Sequence, residues 1–291
     1  MSVIDHLREL RRRLIVVVIL VVIGAVVGWY LYPHTIDFLK RPYCDVPAQY
    51  RYQVPGHPKD CVLIYNQVLG GFGARLKISV ISGIIFTSPF WLYQLWAFIT
   101  PGMRKNERRY TIIFILTSTL LFACGVALSF VLLYKALDTL LRLSGSGTVA
   151  LLTVTDYISF VTLMLIVFGC AFELPLIIVM ANFAGVLPAK LLVRTQRIGI
   201  FLVFAFAAVA TPSTDPFTML GMAIPMVILY EAAVLVAVAH DRRKARRKAA
   251  QKASELSAEQ HLDDETPSRI DPVPTPLRQP SETPDRWSDT T

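Results

Sequence analysis

Six apolar runs, at 14–32, 78–96, 112–134, 158–183, 198–210 and 217–239, constrain this chain more than any other feature. A helix rising 1.5 Å per residue needs about 20 apolar residues to cross the hydrocarbon of a bilayer. Only the 198–210 run, with 13 residues, falls well short. Hydrocarbon offers backbone amides no hydrogen-bond partner, so such runs must cross as helices. With 54% hydrophobic and 17% charged residues, the chain has too little polar surface for a water-soluble globule of its size. The expected fold is therefore an all-α integral membrane protein of six transmembrane helices, a concave bundle with kinked helices whose last two are short.

Basic residues set the topology, because Lys and Arg in short loops are retained in the cytoplasm. The formal charge of +8 is not a nucleic-acid signal, since 18 of the 29 Lys and Arg residues sit in four short segments flanking apolar runs. Those segments are 1–13 with four, 97–111 with four, 184–197 with three and 240–252 with seven. The alternating loops are sparse, with six in 33–77, two in 135–157 and none in 211–216. All four dense segments share one side only if 198–210 also crosses. Both termini are then expected in the cytoplasm, with 1–13 an amphipathic entry segment and 240–252 a basic anchor on anionic lipid. Residues 253–291, rich in Ser, Glu, Asp, Thr and Pro, read as a disordered cytoplasmic tail.

The basic start followed by an apolar run imitates a secretory signal, but an apolar core of roughly 7–15 residues ending in a cleavage site is the signal-peptide pattern. The 14–32 run is longer and ends in Trp29, Tyr30 and Tyr32, residues suited to an interface, and so reads as a retained span. Cys124 and Cys170 lie within apolar runs and read as small buried hydrophobes. Cys44 and Cys61 fall in the long loop that the topology puts outside the membrane, where disulfides persist, and they are expected to pair.

Catalytic patterns are missing. None of the five histidines lies within a run, and there is no GxxxxGK[ST] phosphate loop and no GxSxG elbow, so no enzyme, metal or cofactor is expected. The informative polar residues are carboxylates. Glu173 sits in FELP within the fourth run, where a charge costs roughly 2.5–3.5 kcal/mol unless it is protonated, paired or facing water. It is either a satisfied acid within the bundle or a polar point that receives a partner. Glu231, in the sixth run, carries the same two readings. Pro89, Pro175 and Pro225 each remove a backbone donor from a run. Near the N-terminus, helical spacing puts Glu9 on the face of Asp5 and Arg13. In 97–111, Pro101 and Gly102 make a turn ahead of Glu107 and Arg108. Intramembrane carboxylates and bent helices alone leave a proton-coupled secondary transporter or channel as the alternative.

Taken together, HLRELRRR at 6–13, WAFITPGM with NERR between 96 and 109, YISF at 157–160, FELP at 172–175, ATPSTD at 210–215 and AIPM at 223–226 resemble the TatC family in order and spacing. The long first loop with its cysteines and the apolar Met219 are local departures. The resemblance implies a receptor for twin-arginine signal peptides of folded precursors, working with the single-span proteins TatA and TatB and the proton motive force, in a bacterial cytoplasmic membrane and as one of several copies within a larger complex. It further implies Glu107 and then Glu9 as the acids that meet the arginine pair. Phe98, Pro101, Gly102 and Met103 would shape that loop, and Arg11 and Arg108 would orient the carboxylates. Glu173, with Pro175 and Glu231, would form the intramembrane polar contact, while Asp215 and Pro42 would support an external cap.

Overall fold

The structure is a computed structural model, and it describes residues 3–47, 61, 63–99, 108–143, 152–211 and 216–265. Its elements are α1 (Val3–Cys44), α2 (Gly70–Phe86), α3 (Ser88–Ile99), α4 (Arg108–Leu143), α5 (Val154–Ala171), α6 (Leu174–Phe183), α7 (Ala189–Arg194), α8 (Gln196–Ala210) and α9 (Pro216–Glu265). Among the described residues, four helical stretches are long and apolar enough to cross a membrane: Ile4–Cys44, Ile112–Leu140, Val154–Phe183 and Pro216–Ser257. The pair α2 and α3 passes the same test together but is bent by 62°. At 15 residues, α8 extends roughly 22 Å, less than the roughly 30 Å of a hydrocarbon core. The protein is thus an all-helical, multi-pass membrane protein.

Two of the expected runs are broken where proline permits it. The 78–96 run parts at Thr87, two residues before Pro89, and Thr87 donates both its amide (3.0 Å) and its hydroxyl (2.7 Å) to the Gly83 carbonyl. Trp91 Nε1 donates to the Ile84 carbonyl at 2.9 Å, covering an acceptor that the break would otherwise strand. The fourth run parts at Phe172 and Glu173, with Pro175 in the first turn of α6, where a missing amide costs nothing. By contrast, α1 passes through Pro33 and Pro42, and α9 through Pro225, without a break.

Lipid tails are as apolar as leucine, so helices associate through close packing and hydrogen bonds rather than by escaping the solvent. The α1–α2 contact shows this. A methyl group at Gly83 would fall 2.5 Å from the Ala25 amide nitrogen and 2.9 Å from the Gly24 carbonyl carbon, and one at Gly28 would fall 2.7 Å from the Ser79 carbonyl oxygen. Only glycine lets these backbones touch. The opposite face of α1 carries exposed Val18, Ile19, Val22, Ile23 and Val26, a surface for lipid.

The end of α1 beyond residue 32, expected as loop, stays helical and joins a packed cluster of Leu39, Tyr43, Val46, Leu63, Ile78 and Tyr157. The Tyr157 hydroxyl donates to the Leu39 carbonyl, and Val154 N–H donates to Ile64 at 3.0 Å. Thr153 caps α5 by accepting from the Asp156 amide at 3.1 Å. A disulfide joins Cys44 to Cys61 within this cluster.

The last helix, expected to be short, is α9 with 50 residues, because the helix runs on past the apolar stretch into the basic segment. Two expectations from composition also need correction. Cys124 and Cys170 are exposed free thiols, not buried ones, because α4 and α5 turn Phe122 and Phe168 inward instead. Residues 253–265, read as disordered tail, continue α9. A segment too polar for a core still forms a helix when it carries good helix formers, here Ala, Glu and Leu. Residues 1–242 form one compact unit, and 243–291 belong to a second.

Gly83→Ala is expected to lower stability by about 1–3 kcal/mol in thermal unfolding of the detergent-solubilised protein, since backbone cannot yield to the added methyl. Gly73→Ala, where nothing lies within 4 Å of the new carbon, should be neutral or stabilising. Alkylation of membranes should leave Cys44 and Cys61 unlabelled until reductant is added, while Cys124 and Cys170 remain free thiols throughout.

Candidate functional site

The first turns of α1 lie against the last turn of α3 and enclose an open groove of about 920 Å³. Its walls are Asp5, Arg8, Glu9, Arg11, Arg12 and Arg13 on α1, and Tyr93, Gln94 and Ala97 on α3. One helical turn separates Glu9 from Arg13, which puts both on the side of α1 that faces α3. Arg13 donates to Glu9 Oε1 from Nη2 at 2.6 Å and from Nε at 3.0 Å, and its Nη1 reaches the Gln94 carbonyl at 3.4 Å. His6 stacks on Phe98 with ring centroids 4.5 Å apart. The groove therefore combines a half-buried carboxylate, an aromatic edge and a surplus of guanidinium groups.

Arg11 lines the groove but is exposed, and the arginine that touches Glu9 is Arg13. Arg108 opens α4. Glu107, Pro101, Gly102 and Met103 lie outside the described residues, as does Asp215. Pro42 is buried within the α1 end that carries Cys44.

Two residues before Phe98, the chain enters the interior. Trp96 Nε1–H donates to Ser118 Oγ at 2.7 Å, and the Ser118 hydroxyl donates onward to Glu173 Oε2, also at 2.7 Å. All three are buried, at 1%, 0% and 6% exposure, among Leu92, Phe114, Phe122 and Leu176. Ser118 accepts one bond and gives another, so its single proton must point at the carboxylate. The other oxygen, Oε1, is buried and has no hydrogen-bond partner among the described residues. A buried acceptor left open is costly in a fold and is the feature a visiting donor would satisfy.

Glu231 is placed differently. Gln196, the first residue of α8, donates to its Oε2 at 2.6 Å, which ties α8 to α9. Nearby, Asp241 accepts from the Ala189 amide at 2.9 Å and so caps α7, while buried Asn182 donates to the Leu187 carbonyl at 2.9 Å. Among the described residues no group of His, Cys, Asp and Glu could hold a metal ion. Sequence reasoning missed Ser118, Trp96 and Gln94. Ser118 had a weak signal as a hydroxyl in an apolar run, whereas the part played by the Gln94 backbone had none.

Comparison with known proteins follows the same residues. A family model described as Sec-independent protein translocase protein (TatC) matches residues 5–225. The Sec-independent protein translocase protein TatC of Frankia casuarinae is 45% identical over 247 residues, covering 84% of this chain and 68% of that relative. The protein of the same name from Corynebacterium kroppenstedtii is 37% identical, covering 84% of this chain and 63% of the relative. A crystal structure of the twin arginine translocase receptor TatC in DDM aligns with a TM-score of 0.66 at 33% identity, over 80% of this chain and 99% of the other.

Ser118→Ala is expected to remove the hydroxyl that the Trp96 N–H donates to and to leave both Glu173 oxygens without a hydrogen-bond partner among the described residues. At roughly 1–3 kcal/mol for each buried orphan, it should lower thermal stability in detergent more than Ser118→Thr does. The Trp96 fluorescence should shift in the alanine variant.

Proposed function

The chain belongs to the TatC family of Sec-independent protein translocase proteins, and from that membership we propose that it is the membrane receptor for twin-arginine signal peptides of folded precursors. The observation that carries this reading is the half-buried Glu9 carboxylate in a groove walled by the last turn of α3, the helix that precedes Glu107 in the sequence. A guanidinium is permanently charged and presents a planar fork that two carboxylate oxygens match, whereas an ammonium is a compact point charge. Acids at the edge of an apolar slab, where water is scarce, select paired arginines over paired lysines on that basis. The family's work is protein transport, and nothing in the proposed role calls for a chemical step on the cargo.

The rest of the proposal follows from charge and burial. The four dense basic segments support six crossings with both termini in the cytoplasm of a bacterial cell. In that frame the Glu9 groove opens to the compartment where precursors are made. Glu173, with one oxygen unpartnered inside the membrane, is the contact for a polar group on a TatA or TatB helix or on the inserted signal peptide. Several copies, together with TatA and TatB, would form the working translocase and draw on the proton motive force, as membership of the family implies.

A photoreactive residue at position 107 is expected to crosslink to a twin-arginine precursor and far less to its twin-lysine version. Glu107→Gln should abolish export of a twin-arginine reporter while the protein accumulates normally in the membrane. Glu9→Gln should weaken peptide binding about tenfold or more, the scale of one charge-assisted hydrogen bond. Equal crosslinking to both precursors, or undiminished export, would sink the reading.

A further inference from the structure

The receptor reading leaves one contact unexplained: the carboxylate that should meet the cargo is already held by a guanidinium of the same chain. Arg13 places two donors on Glu9 Oε1, at 2.6 and 3.0 Å, and braces itself with a third on the Gln94 carbonyl at 3.4 Å. Glu9 Oε2 receives no hydrogen bond among the described residues. We propose that Arg13 is an internal stand-in for the cargo arginine, a latch that occupies Glu9 at rest and must be displaced when the signal peptide binds. This inference rests on the receptor reading above.

The geometry makes displacement necessary. A cargo guanidinium that engages Glu9 through its fork needs both carboxylate oxygens and the space beside them, and Arg13 now fills one side. Displacement is also cheap, because an ion pair one helical turn apart with both partners partly exposed, at 24% and 32%, is weak. Arg13 has somewhere to go, since the groove is open and its remaining bond to Gln94 is long.

The latch has a use in discrimination. Binding becomes an exchange in which one guanidinium replaces another, so the cargo must at least match the bonds that Arg13 gives up. An arginine can do so, while a lysine ammonium carries the charge but not the fork and leaves one oxygen unserved. Arg13 thereby raises the threshold for any stray cation and lowers affinity somewhat for the correct ligand, which is selectivity through an opposing contact. The neighbouring Arg8, Arg11 and Arg12 are exposed and do not make this contact.

The test uses the full-length protein in lipid nanodiscs and a fluorescent twin-arginine signal peptide, with its twin-lysine version alongside, read by anisotropy. Relative to wild type, Arg13→Gln should bind the twin-arginine peptide about two- to fivefold tighter, the range expected for loss of one weak competing ion pair. The twin-lysine peptide should gain by a larger factor, so that discrimination narrows. Arg13→Lys, which keeps the charge, should fall between wild type and Arg13→Gln, and thermal unfolding of both variants checks that they are folded. In a Glu9→Gln background, Arg13→Gln should change nothing. Tighter binding that persists in that background would mean general charge repulsion and overturn the latch, as would unchanged or weaker binding by Arg13→Gln. Failure of wild-type protein to bind the twin-arginine peptide at all would overturn the receptor reading and the latch with it.

Discussion

Lipid as the solvent is the constraint on which everything else in this protein depends. Apolar side chains gain nothing by leaving hydrocarbon for a protein interior of the same polarity, so the helices are held by what lipid cannot supply. Backbone comes close to backbone at Gly24, Gly28, Ser79 and Gly83. Hydrogen bonds carry the remaining specificity: Tyr157 to the Leu39 carbonyl, Gln196 to Glu231, and the chain from Trp96 through Ser118 to Glu173. The same condition explains the exposed valines and isoleucines of α1, which would promote aggregation in water and here meet acyl chains.

That constraint also sorts the chemistry by depth. Charge collects at helix ends, where Glu9 and Arg13 pair under partial shielding from water. A carboxylate deeper in must be justified by its partners, and Glu173 has one oxygen bonded and one without a partner among the described residues. Because Trp96 stands two residues from Phe98, the buried relay and the groove end of α3 belong to one short stretch of chain.

Much of this was legible from local pattern. The i,i+4 spacing of Glu9 and Arg13 predicts their pairing, and Pro89 and Pro175 mark runs that the structure breaks nearby. Other features were not legible. Nothing local says that α1 passes through Pro33 and Pro42, because its continuation depends on packing of Leu39 and Tyr43 against Ile78 and Tyr157, far along the chain. Cys124 and Cys170 sit in apolar runs, and apolarity cannot say which face of a helix meets lipid and which meets protein. The polar composition of 253–265 excludes a core but not a helix.

The sequence by itself determined that this is a multi-pass helical membrane protein of the TatC family, because run length, charge placement and motif order are properties of the chain read in one dimension. Only the tertiary structure decided that Arg13 also reaches the Gln94 carbonyl of α3, which hydroxyl reaches Glu173 and which Glu173 oxygen has no hydrogen-bond partner among the described residues. Those outcomes turn on ångström-scale approach between α1, α3, α4 and the α5–α6 break, segments separated by up to 81 residues at the Arg13 to Gln94 contact. Such distances are set by how helices lean on one another, and no spacing rule within a single helix encodes them.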